Sequence, residues 1–151
     1  MTGELRLRRA RLSDAELLLA WRNDPLTRRM SHKGDEVKLE PHLAWLASIL
    51  RDEDRRLFIA EIDAAPAGTV RADFADGAWE LSWTVAPEQR SRGIGKRMVA
   101  MAADLIPGPI RAEVKAGNTA SIRIAEAAGM RFSRESAGVI HLERPAQRRK
   151  S

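Results

Sequence analysis

The stretch Val85-Ala-Pro-Glu-Gln-Arg-Ser-Arg-Gly-Ile-Gly-Lys-Arg97 decides how the chain is read. An apolar strand runs into it and ends at Val85, and Pro87 opens a turn. Arg90, Arg92, Gly93 and Gly95 follow, and an apolar-periodic helix starts without a break. Glycine has no Cβ, so its backbone can come close to a ligand. The amides of a helix's first turn lack internal partners and sit at the positive end of its dipole. A strand, a glycine loop and a helix with flanking arginines make a cradle for a pyrophosphate.

Two common phosphate loops do not fit. There is no Gly-x-Gly-x-x-Gly, and Lys96 is not followed by Ser or Thr. The strands before the loop also read as a hairpin meander, not as a parallel crossover.

Upstream, Glu4 to Ala10 alternates and reads as a strand. Ser13-Asp14-Ala15-Glu16 fits a capping box for a helix with Leu17, Leu18 and Trp21 on its apolar side. Asp24 is placed to cap a short second helix with Pro25 at its first position. Residues 30 to 39 read as a loop, and Glu40-Pro41 opens a helix carrying Leu43, Leu46, Ala47 and Leu50. Arg56 to Ile62, Ala67 to Phe74 and Ala78 to Val85 are strands, with Asp76-Gly77 a hairpin signal. Downstream come a helix over 93–106 stopped by Pro107-Gly108-Pro109, a strand from Ile110, and a helix from Asn118 to Ala128 with Gly129 as its C-cap. Two strands turning near Ser136-Ala137-Gly138 close the chain. The expected fold is α+β, a mixed and mostly antiparallel splayed sheet flanked by helices. Residues 1–146 form one domain, and 147–151 form a frayed basic tail.

Composition narrows the function. The 151 residues suit one full-sized core, and 44% hydrophobic with 31% charged residues is ordinary for a soluble globular protein. No apolar run approaches a membrane span and no apolar signal region precedes the first strand, so a cytoplasmic protein is expected. The absence of cysteine removes disulfides, thiolate metal sites and an acyl-cysteine intermediate. His32, His42 and His141 show no metal-ligand spacing, so no metal is expected. A net charge of +5 suits nucleic acid, anionic small ligands, or simply a solvated arginine-rich surface.

Arg90-x-x-Gly93-x-Gly95 after a Val-x-Pro strand end resembles the acetyl-CoA motif of the GNAT N-acetyltransferases. Asn118-x-x-Ser121, then Glu126-Ala-Ala-Gly129-Met-Arg-Phe132, resembles that family's second block. With the order of elements, the resemblance covers essentially the whole chain. It implies a sheet that splays after Val85, with pantetheine pairing to backbone around Val85 and Pro87. It implies that Arg90, Ser91, Arg92, Gly93, Ile94 and Gly95 offer amides to the pyrophosphate, with Lys96 beside them. Asn118 then contacts the pantetheine or the acetyl end; as a residue before a helix it also reads as a plain N-cap. A narrower resemblance rests on Trp21-Arg-Asn-Asp-Pro25, Arg29-Met-Ser31, Glu40-x-His42-x-x-Trp45 and Gly68-Thr-Val-Arg71. It is to the acetyltransferases of UDP-amino sugars in pseudaminic acid-type glycan pathways, with ribosomal-protein N-terminal acetyltransferases close by.

The activity implied is direct acetyl transfer from acetyl-CoA to a primary amine in a ternary complex. Glu80, sharing one strand face with Ser82 and Thr84, is the candidate base, or else an exposed residue paired with a cross-strand arginine such as Arg71. Many members of the family place a tyrosine seven residues after the asparagine as acid for the thiolate. Here that position is Ala125 and the chain has no tyrosine. Ser121 is the nearest substitute, and solvent can protonate a thiolate unaided. Arg22, Asn23, Arg29, Ser31 and His42 are the candidate acceptor contacts, arginine suiting a UDP pyrophosphate. His42 reads more readily as an exposed polar residue than as a catalytic one; Trp45 and Trp83 read as core, or else as a surface that stacks a base or lines the sugar pocket. The alternatives are a protein N-terminal acetyltransferase and a non-catalytic CoA- or RNA-binding module. No nucleic-acid or membrane partner is expected, and a homodimer is common among similar enzymes.

Overall fold

The Asp76-Gly77 signal folds as a two-residue turn, and Asp63-Ala64 forms a second one. Asp63 and Ala64 take φ of 51° and 67°, and Asp76 and Gly77 take 52° and 80°. Two consecutive left-handed residues twist a loop in the sense the strands require. β1 (Leu5–Arg9), β2 (Arg55–Ile62), β3 (Ala65–Ala75) and β4 (Ala78–Val85) therefore pair antiparallel in succession. β5 (Ile110–Lys115) lies beside β4, and β7 (Val139–Arg144) inserts between β5 and β6 (Arg131–Ser136). The computed structural model describes residues 4–30, 36–90 and 92–147. Among these, seven strands form one sheet in the order β1-β2-β3-β4-β5-β7-β6.

The junction of β4 and β5 shapes the site. They are parallel and pair only at Trp79 with Ile110 and at Glu80 with Arg111. Above that level β4 stays with β3 as far as Val85, and β5 stays with β7 as far as Lys115. Each arm is held by its outer neighbour, so the sheet opens between them. The splay thus begins after Glu80, not after Val85 as expected.

Each face carries its own core. On one face Val70, Ala72 and Leu81 meet Ile94, Met98, Val99 and Ala102 of α4 (Ile94–Asp104) and Ala125 of α5 (Thr119–Ala127). On the other, Leu57 and Ile59 meet Leu18 and Trp21 of α1 (Ala15–Arg22) and Leu46 and Ile49 of α3 (Leu39–Arg51). A Cβ on Gly68 would stand 2.6 Å from Met98 Sδ and 2.8 Å from the Thr84 carbonyl, so this glycine lets α4 lie against the sheet.

One local expectation changes, and two distant contacts accompany it. The Ser13 capping box is replaced by Asp14, whose carboxylate accepts from the Arg11 amide at 2.8 Å and from both ends of the Arg8 guanidinium at 2.9 and 2.8 Å. That bond to Arg8 holds the Asp14 carboxyl below the usual range. Arg144, at the end of β7, is buried and donates to the carbonyls of Ala103 (3.2 Å), Ile106 (2.6 Å) and Gly108 (3.3 Å). The Gln147 amide donates to the Pro107 carbonyl at 2.8 Å.

Candidate active site

The opening between the two arms leaves β4 from Leu81 to Val85 without a strand partner on its β5 side. Its backbone groups there are free to pair with an extended ligand. At its head a short 3-10 turn, Pro87–Gln89, leads through Arg90 to Gly93. Gly93 is the N-cap of α4 with φ +75°, and a Cβ there would meet nothing within 4 Å. It is glycine because the backbone is left-handed, and the space before it is open. The first helical bond of α4 runs from Arg97 back to Gly93. The amides of Gly93, Ile94, Gly95 and Lys96 therefore precede the ladder, at the positive end of the helix.

Gly95 is glycine for a different reason. A Cβ there would lie 2.5 Å from Ile124 Cδ1 and 3.3 Å from Val85 Cγ2. The residue lets α4 and α5 pack: its Cα faces Ile124 and is buried, which leaves only its amide to the loop. Ile94 is likewise buried by its side chain, leaving only its amide to serve the loop.

The arginines divide as well. Arg90 turns its guanidinium away from the loop, onto the Asp24 carboxylate and onto Thr27 Oγ1 at 3.1 Å. The contact with Arg90 holds Asp24 below the usual carboxylate range. Arg92 is exposed and donates to Gln89 Oε1 at 3.0 Å. Lys96 is exposed. Ser91 and Ser31 lie outside the described residues.

Across the opening, Asn118 does cap α5: its Oδ1 accepts the Ser121 amide at 3.2 Å. Its Nδ2 has no protein partner among the described residues, so the amide can cap and still donate into the cleft. Ser121 sits in the first turn of α5, half-buried.

Glu80 stands at the floor of the opening, where β4 and β5 part. Register places it in a row across the sheet: Arg55, Asp73, Glu80, Arg111, Glu143 and Arg131 are successive cross-strand neighbours. Glu80 pairs with Arg111, Nε to Oε1 3.7 Å, and not with Arg71, whose Nε lies 2.9 Å from Asp73 Oδ2.

The acceptor candidates separate. Asn23 uses both ends of its amide on the Val37 backbone, at 2.7 Å each, and so positions the chain entering α3. His42 is 5% exposed and stacked on Trp45 with ring centroids 5.4 Å apart, not an exposed polar residue. Burial lowers its pKa below the ordinary value. Trp45 lies under the Arg71 guanidinium at 5.6 Å, on the sheet face that carries Ser82 and Thr84. Arg22 ends α1 half-buried, and Arg29 is exposed on α2 (Pro25–Met30). Sequence reasoning named Asp24 only as a cap and Arg71 only within the Gly68–Arg71 motif and as a partner for Glu80, and it missed Thr27 and Lys115. For the last two the only sequence signals were the cap at Asp24 and the charge at the end of β5.

The family model of the acetyltransferase (GNAT) domain matches residues 4–131. The chain belongs to the GNAT acetyltransferases. No curated protein matches it significantly in sequence. Among solved structures it is similar to the aminoglycoside acetyltransferase AAC(6')-Ib with coenzyme A, at 19% identity and TM-score 0.79, over 94% of this chain and 95% of that one. It is similar to the ribosomal-protein-alanine N-acetyltransferase of Brucella melitensis, at 24% identity and TM-score 0.77, over 93% and 99%. It is also similar to the spermidine N-acetyltransferase of Vibrio cholerae with CoA and spermine, at 15% identity and TM-score 0.79, over 92% of each chain. This GNAT protein is an acetyl-CoA-dependent N-acetyltransferase. The free β4 edge and the open, left-handed Gly93 fit that donor.

Proposed function

We propose that this GNAT enzyme acetylates the primary amine of a small molecule carrying an anionic group, a nucleotide-linked amino sugar being the best fit. The observation that carries this reading is the charge on the acceptor side of the opening. Asp24, Asp73 and Glu80 each have an arginine partner. Arg29, exposed on α2, and Lys115, whose Nζ meets the Arg29 carbonyl, lie on the same side. A polycationic acceptor needs free carboxylates; this wall offers cations, which suit phosphate.

When bound, acetyl-CoA supplies the thioester carbonyl that the amine attacks. The chain's part is to orient, to remove a proton and to receive charge. The unpaired amides of Leu81 to Val85 hold the donor's extended arm and offer an N–H to the carbonyl oxygen as it becomes an anion. Amides from Gly93 to Lys96 take the pyrophosphate, and the spare Nδ2 of Asn118 donates into the cleft from the other arm. A sugar amine has a pKa of roughly 8, so a modest base suffices. Glu80, the carboxylate of β4, takes that proton through water along the face it shares with Ser82 and Thr84. With alanine at position 125, Ser121 hydrogen-bonds the departing sulfur and solvent protonates it. Acetyl-CoA is a cytoplasmic metabolite, which suits a cytoplasmic enzyme.

A thiol-release assay tests the acceptor. UDP-amino sugars, N-terminal peptides, a polyamine and an aminoglycoside are compared at equal concentration. Turnover is expected on the sugars; turnover confined to peptides or polycations refutes the anionic acceptor. Glu80→Gln is expected to lower kcat/KM by about 10²-fold or more and to remove the acidic limb of its pH profile. A stability loss with an unchanged profile leaves Glu80 as a member of the charged row alone.

A further inference from the structure

α2 is a six-residue helix, too short to persist alone. None of its described side chains belongs to either buried core. Contacts at its two ends supply the missing support. At its start, Asp24 Oδ2 accepts the Thr27 amide at 3.2 Å and Thr27 Oγ1 at 3.3 Å, and the same oxygen receives the Arg90 guanidinium. Arg90 also donates to Thr27 Oγ1, so one guanidinium grips both the cap and the first turn. At its far end, Lys115 Nζ donates to the Arg29 carbonyl at 2.9 Å. Arg90 follows β4 and immediately precedes the donor loop. Lys115 is the last residue of β5. These are the two arms that diverge above Glu80, so α2 is fastened to both across the open end of the cleft.

We propose that Asp24, Arg90 and Lys115 make α2 a strap that couples donor binding to order on the acceptor side. This rests on the donor reading of the loop at Gly93. Arg90 stands three residues from Gly93, so a ligand that fixes the loop backbone fixes the base of the guanidinium that grips Asp24. The same ligand lies along the inner edge of β4 and sets the spacing of the two arms, hence of Arg90 from Lys115. Acetyl-CoA thereby lowers the cost of ordering α2, which carries Arg29. Coupling of this kind is reciprocal: an acceptor that orders α2 tightens the donor site by the same factor. The three residues position the reactants; none of their side chains touches the reacting atoms.

Hydrogen exchange read by mass spectrometry tests the strap with acetyl-CoA as the only probe. In the wild-type protein, saturating acetyl-CoA is expected to slow exchange over 25–30 by about fivefold or more, together with slowing over 93–97. Protection of 93–97 with no change over 25–30 overturns the strap and leaves the donor site standing. No protection at 93–97 overturns the donor reading and the strap with it. Arg90→Met and Lys115→Met are each expected to keep the slowing at 93–97 and to cut that at 25–30 to about twofold or less. Arg90→Lys, which keeps a charge for Asp24, is expected to retain an intermediate value. Full slowing over 25–30 in both methionine variants refutes the assignment of the ties. The wild-type arm depends on no variant folding.

Discussion

At the scale of single residues, the glycines of one motif answer to different forces. Gly93 is set by backbone conformation, Gly95 by the side chain of Ile124, and Gly68, outside the motif, by a sulfur and a carbonyl. Their alanine variants should therefore differ. Gly93→Ala forces a Cβ onto a left-handed residue facing open space, a strain of about 1 kcal/mol. Gly95→Ala drives a methyl onto the movable end of Ile124 and costs about 1–2 kcal/mol. Gly68→Ala meets the fixed Thr84 carbonyl and should cost about 2–3 kcal/mol. Urea unfolding of the three variants gives the order. Gly93→Glu is expected to unfold like Gly93→Ala but to lose acetyl-CoA binding in a calorimetric titration, because a carboxylate then faces the pyrophosphate. Retained affinity there would show that the open space before Gly93 is not the phosphate site.

At the scale of elements, the least expected device is the cap on α4. The last four carbonyls of a helix lack internal donors. Arg144, 41 residues beyond Ala103, supplies three hydrogen bonds to the end of this one and the turn after it. Arg144→Met should cost about 2–3 kcal/mol, since buried carbonyls then lose their donors. Arg144→Lys should restore part of it, and equal midpoints for the two variants in thermal unfolding would refute the cap. Nothing near Arg144 in the sequence announces this role. Elements set by local chemistry were legible: the Asp76-Gly77 turn, the Asp24 and Asn118 caps, the Gly129 stop and the arginine-glycine loop. What depends on two distant segments meeting was not. Arg90 read as a phosphate ligand because its carboxylate partner lies 66 residues away in the chain. The splay read as beginning at Val85 because the start of β5, which decides it, carries no signal for register.

At the scale of the whole molecule, stability should fall in two steps on acidification. His42 is buried on α3 beside Ala15 of α1, and its Nε2 has no hydrogen-bond partner among the described residues. Desolvation lowers its pKa from 6.5, while a backbone hydrogen bond at Ala15 opposes this more weakly. The unfolded chain therefore binds a proton at this residue that the folded chain refuses. Stability is full above pH 6.5 and is lost as pH falls from there toward the lowered folded value. The slope cannot exceed about 1.4 kcal/mol per pH unit for one group. Asp14 and Asp24 are also lowered, from 3.8, chiefly by hydrogen bonds from Arg8 and Arg90. Their contribution is present above pH 3.8 and is lost as pH falls through their folded values. Urea midpoints measured from pH 7.5 to pH 3 should thus decline gently below 6.5 and again below 3.8. His42→Phe keeps a ring against Trp45 and cannot titrate, so it should abolish the first decline and leave the second. A first decline that survives in this variant belongs to another group, and the buried imidazole is then not the molecule's acid-sensitive point.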